Sequence, residues 1–321
     1  MSTPSLVRDD RPSKSAQRGG KEVSSLGEAG DERIDILPSL PFVAVHALAF
    51  LGACLVSFRW WYLAVAVGSY YLRMFFVTAG YHRYFAHRAF KTSRWFQFVI
   101  AFMAESSAQK GVLWWAAHHR DHHKFSDQPE DIHSPRQKGL WWAHVGWILS
   151  KKHVRTKEER IKDFAQYPEL RWLNTYHYVP TVVYATALFL VGGWPLLVWG
   201  YFVSTVMLWH GTFTINSLSH VFGTTRYESS DDSKNNFLLA LITCGEGWHN
   251  NHHYYQSTAN QGFFWWEVDA SYYGLKMMSW LGLVWDLRTP PRHIRDGRRA
   301  PLVTAPATET VPPRVAADRQ D

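Results

Sequence analysis

Apolar residues along this chain gather in long runs rather than in an alternating or thin helical stripe. Leu40 to Phe58 is uncharged and about as long as a helix needs to be to cross a bilayer core. Trp60 to Thr78 is a second run, parted from the first by a turn around Arg59. Tyr178 to Val191 and Trp194 to Ile215 form another pair, divided by Gly192, Gly193 and Pro195. The pattern predicts an all-α integral membrane protein with four transmembrane helices in two hairpins, at about 40–58, 60–79, 178–192 and 194–215.

A fifth apolar patch, Trp95 to Ala104, is too short to span and runs into Glu105, Gln109 and Lys110, so it is expected as an interfacial or buried helix. Arg73 falls inside the second run, where snorkelling or pairing with a buried carbonyl is its simplest role and positioning a polar site is the other. Residues 1–36 and 295–321 lack the apolar content to fold and are expected as disordered tails around a domain at 37–294.

Composition supports the membrane reading, because 16% aromatic residues with 17 tryptophans suit a bilayer interface. The net charge of +7 comes mostly from residues between Tyr81 and Trp172 and beyond His220, while the two far-side turns carry one Arg. By the positive-inside rule the protein is multi-pass, with both termini and the middle section cytoplasmic. That basic surface suits an anionic membrane, an acidic electron carrier or a CoA-type phosphate, and excludes nucleic acid as a partner. The two cysteines, Cys54 and Cys244, form neither a disulfide framework nor a thiolate metal site. No removable signal peptide is recognisable.

The histidines change the picture from membrane protein to membrane metalloprotein. They recur as His82-Arg-Tyr-Phe-Ala-His87, His119-Arg-Asp-His122-His123 and His249-Asn-Asn-His252-His253. Offsets of i, i+3 and i+4 place three imidazoles on one helix face in each of the last two clusters. An i, i+5 pair diverges on a straight helix, so His82 and His87 must straddle a helix end or a local distortion. The spans bring all three clusters to one side of the membrane, as a shared site requires.

Eight histidines exceed the needs of one ion and point to two ions close together; imidazole suits Fe, Zn, Cu and Ni alike. One Glu-x-x-His, at Glu130 and His133, is too few for a carboxylate-rich di-iron bundle. A His-Glu-x-x-His zinc-protease motif is absent from the sequence. The isolated His46, His144, His153, His177, His210 and His293 read as core or interface residues. His118 points off the shared face, and Asp121 is either an imidazole-orienting carboxylate or a solvated charge.

With these motifs in this order the chain resembles the membrane fatty-acyl desaturases, specifically the stearoyl-CoA desaturase branch. Asn216-Ser-Leu-Ser-His220 and Gly245-Glu-Gly-Trp-His249 match as well, over a stretch running from the first span to Pro290. The resemblance implies a cytosolic helical cap over four spans, and two Fe ions held by nine histidines, with His220 as the ninth. It assigns Asn216 to a metal-bound water and adds a narrow tunnel for a saturated acyl chain, with acyl-CoA as the expected carrier and an acyl-lipid as the alternative. O2 is then the co-substrate, two electrons are consumed, and the product is a cis double bond, usually at the ninth carbon.

Such chemistry needs a metal because an unactivated methylene offers no acidic proton and no leaving group. No stretch before the C-terminal tail is long enough for a fused cytochrome or flavin domain, so electrons are expected from a separate donor such as a ferredoxin or cytochrome b5. Departures are Asp131-Ile132-His133, where the family reads Asp-Pro-His, and Tyr254-Tyr255-Gln256 after the third cluster. The competing readings are a membrane di-iron hydroxylase and, from another class, a metal transporter or sensor; clean spans speak against the latter.

Overall fold

The computed structural model describes residues 32–297. Most of the expected tails lies outside that range. Residues 32–36, read as part of the N-terminal tail, are held against the middle section: Ile34 bridges to Ser150, and the amide of Asp35 donates to the Leu149 carbonyl at 2.8 Å. At the other end Arg295 closes a short helix at Arg292–Arg295 rather than opening a tail.

The chain is mostly helical, with one two-stranded sheet pairing Lys91–Thr92 and Val284–Trp285. Helix α1, Ile36–Leu55, begins earlier and ends earlier than its apolar run suggests, and it exposes Leu37, Phe50, Leu51 and Leu55. Helix α2, Trp60–Phe76, continues without a break into a π-helical segment, Val77–Ala86. The third long stretch, Tyr178 to His220, is helical except at Gly192 and Gly193. Gly193 takes φ 61° and ψ −154°, a conformation that only glycine adopts without strain. These three stretches are the ones among the described residues that are long and apolar enough to cross a membrane.

The short apolar patch is α3, Arg94–Glu105, which buries Phe96, Ile100 and Ala101 and leaves Trp95 exposed. Ser93 caps it by accepting from the Phe96 amide. Helix α4, Val112–Phe125, packs against the π-helical segment and carries the second histidine cluster. The core lies between α2, the π segment, α3 and α4, with Tyr81, Phe85, Ile100, Leu113 and Leu208 buried.

Arg73 is fully buried and does not snorkel. Its guanidinium donates to the Ser106 carbonyl, to Thr205 Oγ1 at 2.8 Å and to Ser204 Oγ at 2.7 Å, tying α2 to the fourth apolar run. Three of the isolated histidines are likewise satisfied: His46 Nε2 lies 3.1 Å from His210 Nε2, and His210 Nδ1 lies 3.0 Å from His144 Nε2. This chain of imidazoles joins α1 to the last apolar run and to the Trp142–Gly146 segment.

Candidate metal centre

The π segment explains the awkward first cluster. Hydrogen bonds spanning five residues bring residue i+5 back above residue i, and the His87 amide donates to the His82 carbonyl at 3.1 Å. The two imidazoles then face each other with ring centroids 4.8 Å apart. Helix α4 presents His119, His122 and His123, and the short helix His249–Tyr254 presents His249, His252 and His253. His220 closes the last apolar run in a single tight turn.

All nine histidines converge. His82, His87, His119, His123 and His252 form one group, and His122, His220, His249 and His253 form another, with the nitrogens in each group within 4.8 Å of one another. His122 also belongs to a third cluster with Asp131 and His133. Asn216 lies beside the groups, lining a cavity that His119 also lines.

Contacts within the five-histidine group test whether a cation fits. Nε2 of His252 lies 3.0 Å from that of His82 and 2.9 Å from that of His123; Nε2 of His119 lies 2.9 Å from that of His123 and 3.0 Å from that of His87. Inward nitrogens that meet two neighbours each cannot all be paired by one proton per ring. Bonds of about 2.1 Å at right angles to one centre put neighbouring nitrogens about 3.0 Å apart. The donor set therefore fits a metal ion. In the second group Nε2 of His122 and of His253 are buried with no partner among the described residues.

Carboxylates on the outer side fix which nitrogen faces inward. Nδ1 of His122 donates to Asp131 at 2.9 Å, Nδ1 of His220 to Asp127 at 2.8 Å and Nδ1 of His253 to Asp231 at 2.6 Å, while Glu246 takes Nδ1 of His82. Each bond leaves Nε2 as the free lone pair, the arrangement that orients imidazoles at metal sites. Burial alone would raise these acids, but the facing histidines hold Asp127, Asp131 and Asp231 well below the usual carboxylate range. Burial pushes His87, His119, His123, His249 and His252 well down, so they stand neutral, the form that binds a metal.

Asp127 and Asp231 carry no spacing signal in the sequence, and Asp131 and Glu246 lie in stretches that the resemblance singled out without giving either acid a role. Asp231 reaches His253 from a separate loop, and no spacing rule connects them. Asp121, the acid that did stand out, turns away and pairs with Lys157 and Arg160, each at 2.5 Å. His118 is held through Nδ1 by the Trp114 carbonyl and stays outside both groups.

A cavity of about 480 Å³ leads to the five-histidine group, walled mostly by apolar side chains such as Phe42, Trp115, Ile148, Trp209 and Phe213. A smaller one of about 40 Å³ continues beyond it toward Met74 and Val77, and the two share Trp115, His119, Thr212 and Asn216. The indole of Trp115 stacks on His119 with centroids 4.9 Å apart.

The helical fold therefore carries two buried histidine groups, the first of which meets the apolar cavities at His119 and His82. The family model for fatty acid desaturases matches residues 58–272. An sn-1 stearoyl-lipid 9-desaturase from Synechocystis sp. is 37% identical over 252 residues, covering 78% of this chain and 79% of the relative. An sn-2 palmitoyl-lipid 9-desaturase from Nostoc sp. is 33% identical over 247 residues, covering 75% and 86%. An acyl-CoA 5-desaturase from Anemone leveillei is 34% identical over 220 residues, covering 68% of each chain. The chain belongs to the fatty acid desaturase family. It is an oxidoreductase that desaturates fatty acyl chains, which sets aside the hydroxylase and transporter readings.

Proposed function

We propose that this protein is an O2-dependent Δ9 desaturase of saturated acyl chains whose nine histidines hold two iron ions. The observation that carries the reading is the division of His82, His87, His119, His123 and His252 from His122, His220, His249 and His253, in two buried groups of inward-facing nitrogens. Asn216 is the water-holding residue of this site. When bound, the irons would activate O2, the oxidant that an unactivated methylene requires. The net reaction is –CH2–CH2– + O2 + 2 e⁻ + 2 H⁺ → –CH=CH– + 2 H2O.

The chain's own residues bind and orient. Phe42, Trp209 and Phe213 line the path of an extended acyl chain and exclude water, and Trp115 with Thr212 marks the place where the path passes the histidines. Since the acyl chain has no polar handle there, depth in the cavity sets the double-bond position. Asp127, Asp131, Asp231 and Glu246 hold protons at Nδ1 and keep Nε2 bare.

Four spans are favoured over three. A straight helix of the 43 residues from Tyr178 to His220 would be about 65 Å long, twice the bilayer's hydrocarbon core of about 30 Å. The break at Gly192 and Gly193 divides it into two spans. The basic middle section then puts both termini and the site in the cytoplasm, where a ferredoxin or cytochrome b5 delivers electrons. The lipid-desaturating relatives favour a membrane glycerolipid as the acyl carrier; acyl-CoA, carried by the match to the Anemone enzyme, is the second reading.

Expression in a desaturase-deficient host, with lipid profiling by chromatography, tests the function. Monounsaturated chains with the bond at carbon 9 are expected, in aerated cultures alone. A bond at another carbon refutes the Δ9 assignment, and no new unsaturation refutes the reading.

A further inference from the structure

The two histidine groups differ in what stands behind them. In the four-histidine group, His122, His220 and His253 donate from Nδ1 to Asp131, Asp127 and Asp231. Among the described residues none of these three acids pairs with a lysine or arginine. Their other partners are neutral: the Ser134 hydroxyl and the Asp232 amide donate to Asp127, the amides of Asp127 and His133 to Asp131, and the Ser233 amide to Asp231. Such donors hold a carboxylate in place without cancelling its charge.

The five-histidine group is backed differently. Its His82 meets Glu246, and that acid is shared with the fully buried Arg83, whose Nε and Nη2 lie 3.2 and 3.1 Å from Oε1. The Nδ1 atoms of His123 and His252 are buried with no partner among the described residues. Three acids without a counter-cation therefore stand behind one group, and one acid opposed by a guanidinium behind the other. A carboxylate behind a ligating imidazole makes the ring a stronger donor. In a poorly solvated interior its charge also favours a nearby cation, and favours it more the higher the cation's charge. The fifth imidazole of the other group adds a bond but no charge. The groups differ too in what they face: His82 and His119 of the five line the apolar cavities, whereas no member of the four lines either.

We propose that the two positions are unequal: the four-histidine group, backed by Asp127, Asp131 and Asp231, takes the first metal ion and favours Fe3+, while the five-histidine group beside the acyl path takes the second ion and accepts the first electron. The inference rests on the two-iron reading and deepens it. The redox step is Fe3+ + e⁻ → Fe2+, with the electron supplied by the external donor and no bond made or broken.

The test titrates the full-length, metal-free chain in detergent with Zn2+ in competition with a chromophoric chelator. Two binding steps are expected, the first about tenfold tighter or more. His249→Ala is expected to abolish the tight step and His87→Ala the weak one. Asp231→Asn, which keeps the shape of the side chain, is expected to weaken the first step by about 10–100-fold, and Glu246→Gln the second alone. Valence is read separately. The chain is loaded with one equivalent of iron enriched in the Mössbauer isotope and then one of ordinary iron, oxidised, and given one electron per chain by a chemical reductant; the enriched iron is expected to remain Fe3+. Two equal steps, a tight step that survives in His249→Ala, both steps weakened alike in Asp231→Asn and Glu246→Gln, or enriched iron that is reduced first would overturn the inference and leave the two-iron reading standing. A wild-type chain that binds one ion or none overturns both.

Discussion

At Asp231 one carboxylate decides which way an imidazole points. By accepting a hydrogen bond from Nδ1–H of His253 it keeps the proton there and leaves Nε2 bare and aimed at its group, and the same logic holds for Asp131 with His122 and Asp127 with His220. Replacing Asp231 with Asn keeps the shape and loses the charge. Asp231→Asn is expected to weaken metal binding by about 10–100-fold, as losses of such orienting partners do. Asp121→Asn, whose acid pairs with Lys157 and Arg160 instead, is expected to leave it unchanged. Metal titration of both variants checks this; equal losses would mean that the carboxylates act on folding rather than on the imidazoles.

Helices deliver these residues, and local backbone irregularity does as much as regularity. The i, i+3, i+4 clusters were legible because the α-helical period alone puts them on one face. The need for a distortion between His82 and His87 was also legible, but its form as a π segment was not, since it depends on how α2 packs against α3 and α4. Gly193 is the other irregular position. Gly193→Ala forces a side chain into a backbone conformation costing about 1–3 kcal/mol and should lower the thermal midpoint in detergent. In Gly68→Ala, by contrast, the added Cβ meets nothing within 4 Å, and helix propensity favours Ala, so the midpoint should hold or rise. A Gly193→Ala protein as stable as the wild type would show that the break between the last two apolar runs is not required.

For the whole molecule, hydropathy and histidine spacing were enough to anticipate a helical membrane protein with a His-rich site, because both follow from local periodicity and composition. His220 and Asn216 came from family resemblance alone, as an isolated histidine carries no spacing signal. The acyl tunnel likewise came from the resemblance, whereas the pairing of Asp231 with His253 and of Asp127 with His220 was invisible, since each joins segments far apart in sequence. The start of the fold at Glu32 was also missed, because its order depends on Lys138 and Lys152, which pair with it from the middle section.

The central claim is that two groups of histidines hold two iron ions for O2-dependent desaturation. Iron per chain, measured by elemental analysis on purified wild-type protein and on His123→Ala and His249→Ala, tests it most directly. The account predicts about two irons in the wild type, and loss of iron together with oxygen-dependent product in each variant. One iron or none in an active wild-type enzyme, or variants that keep both iron and activity, would contradict it.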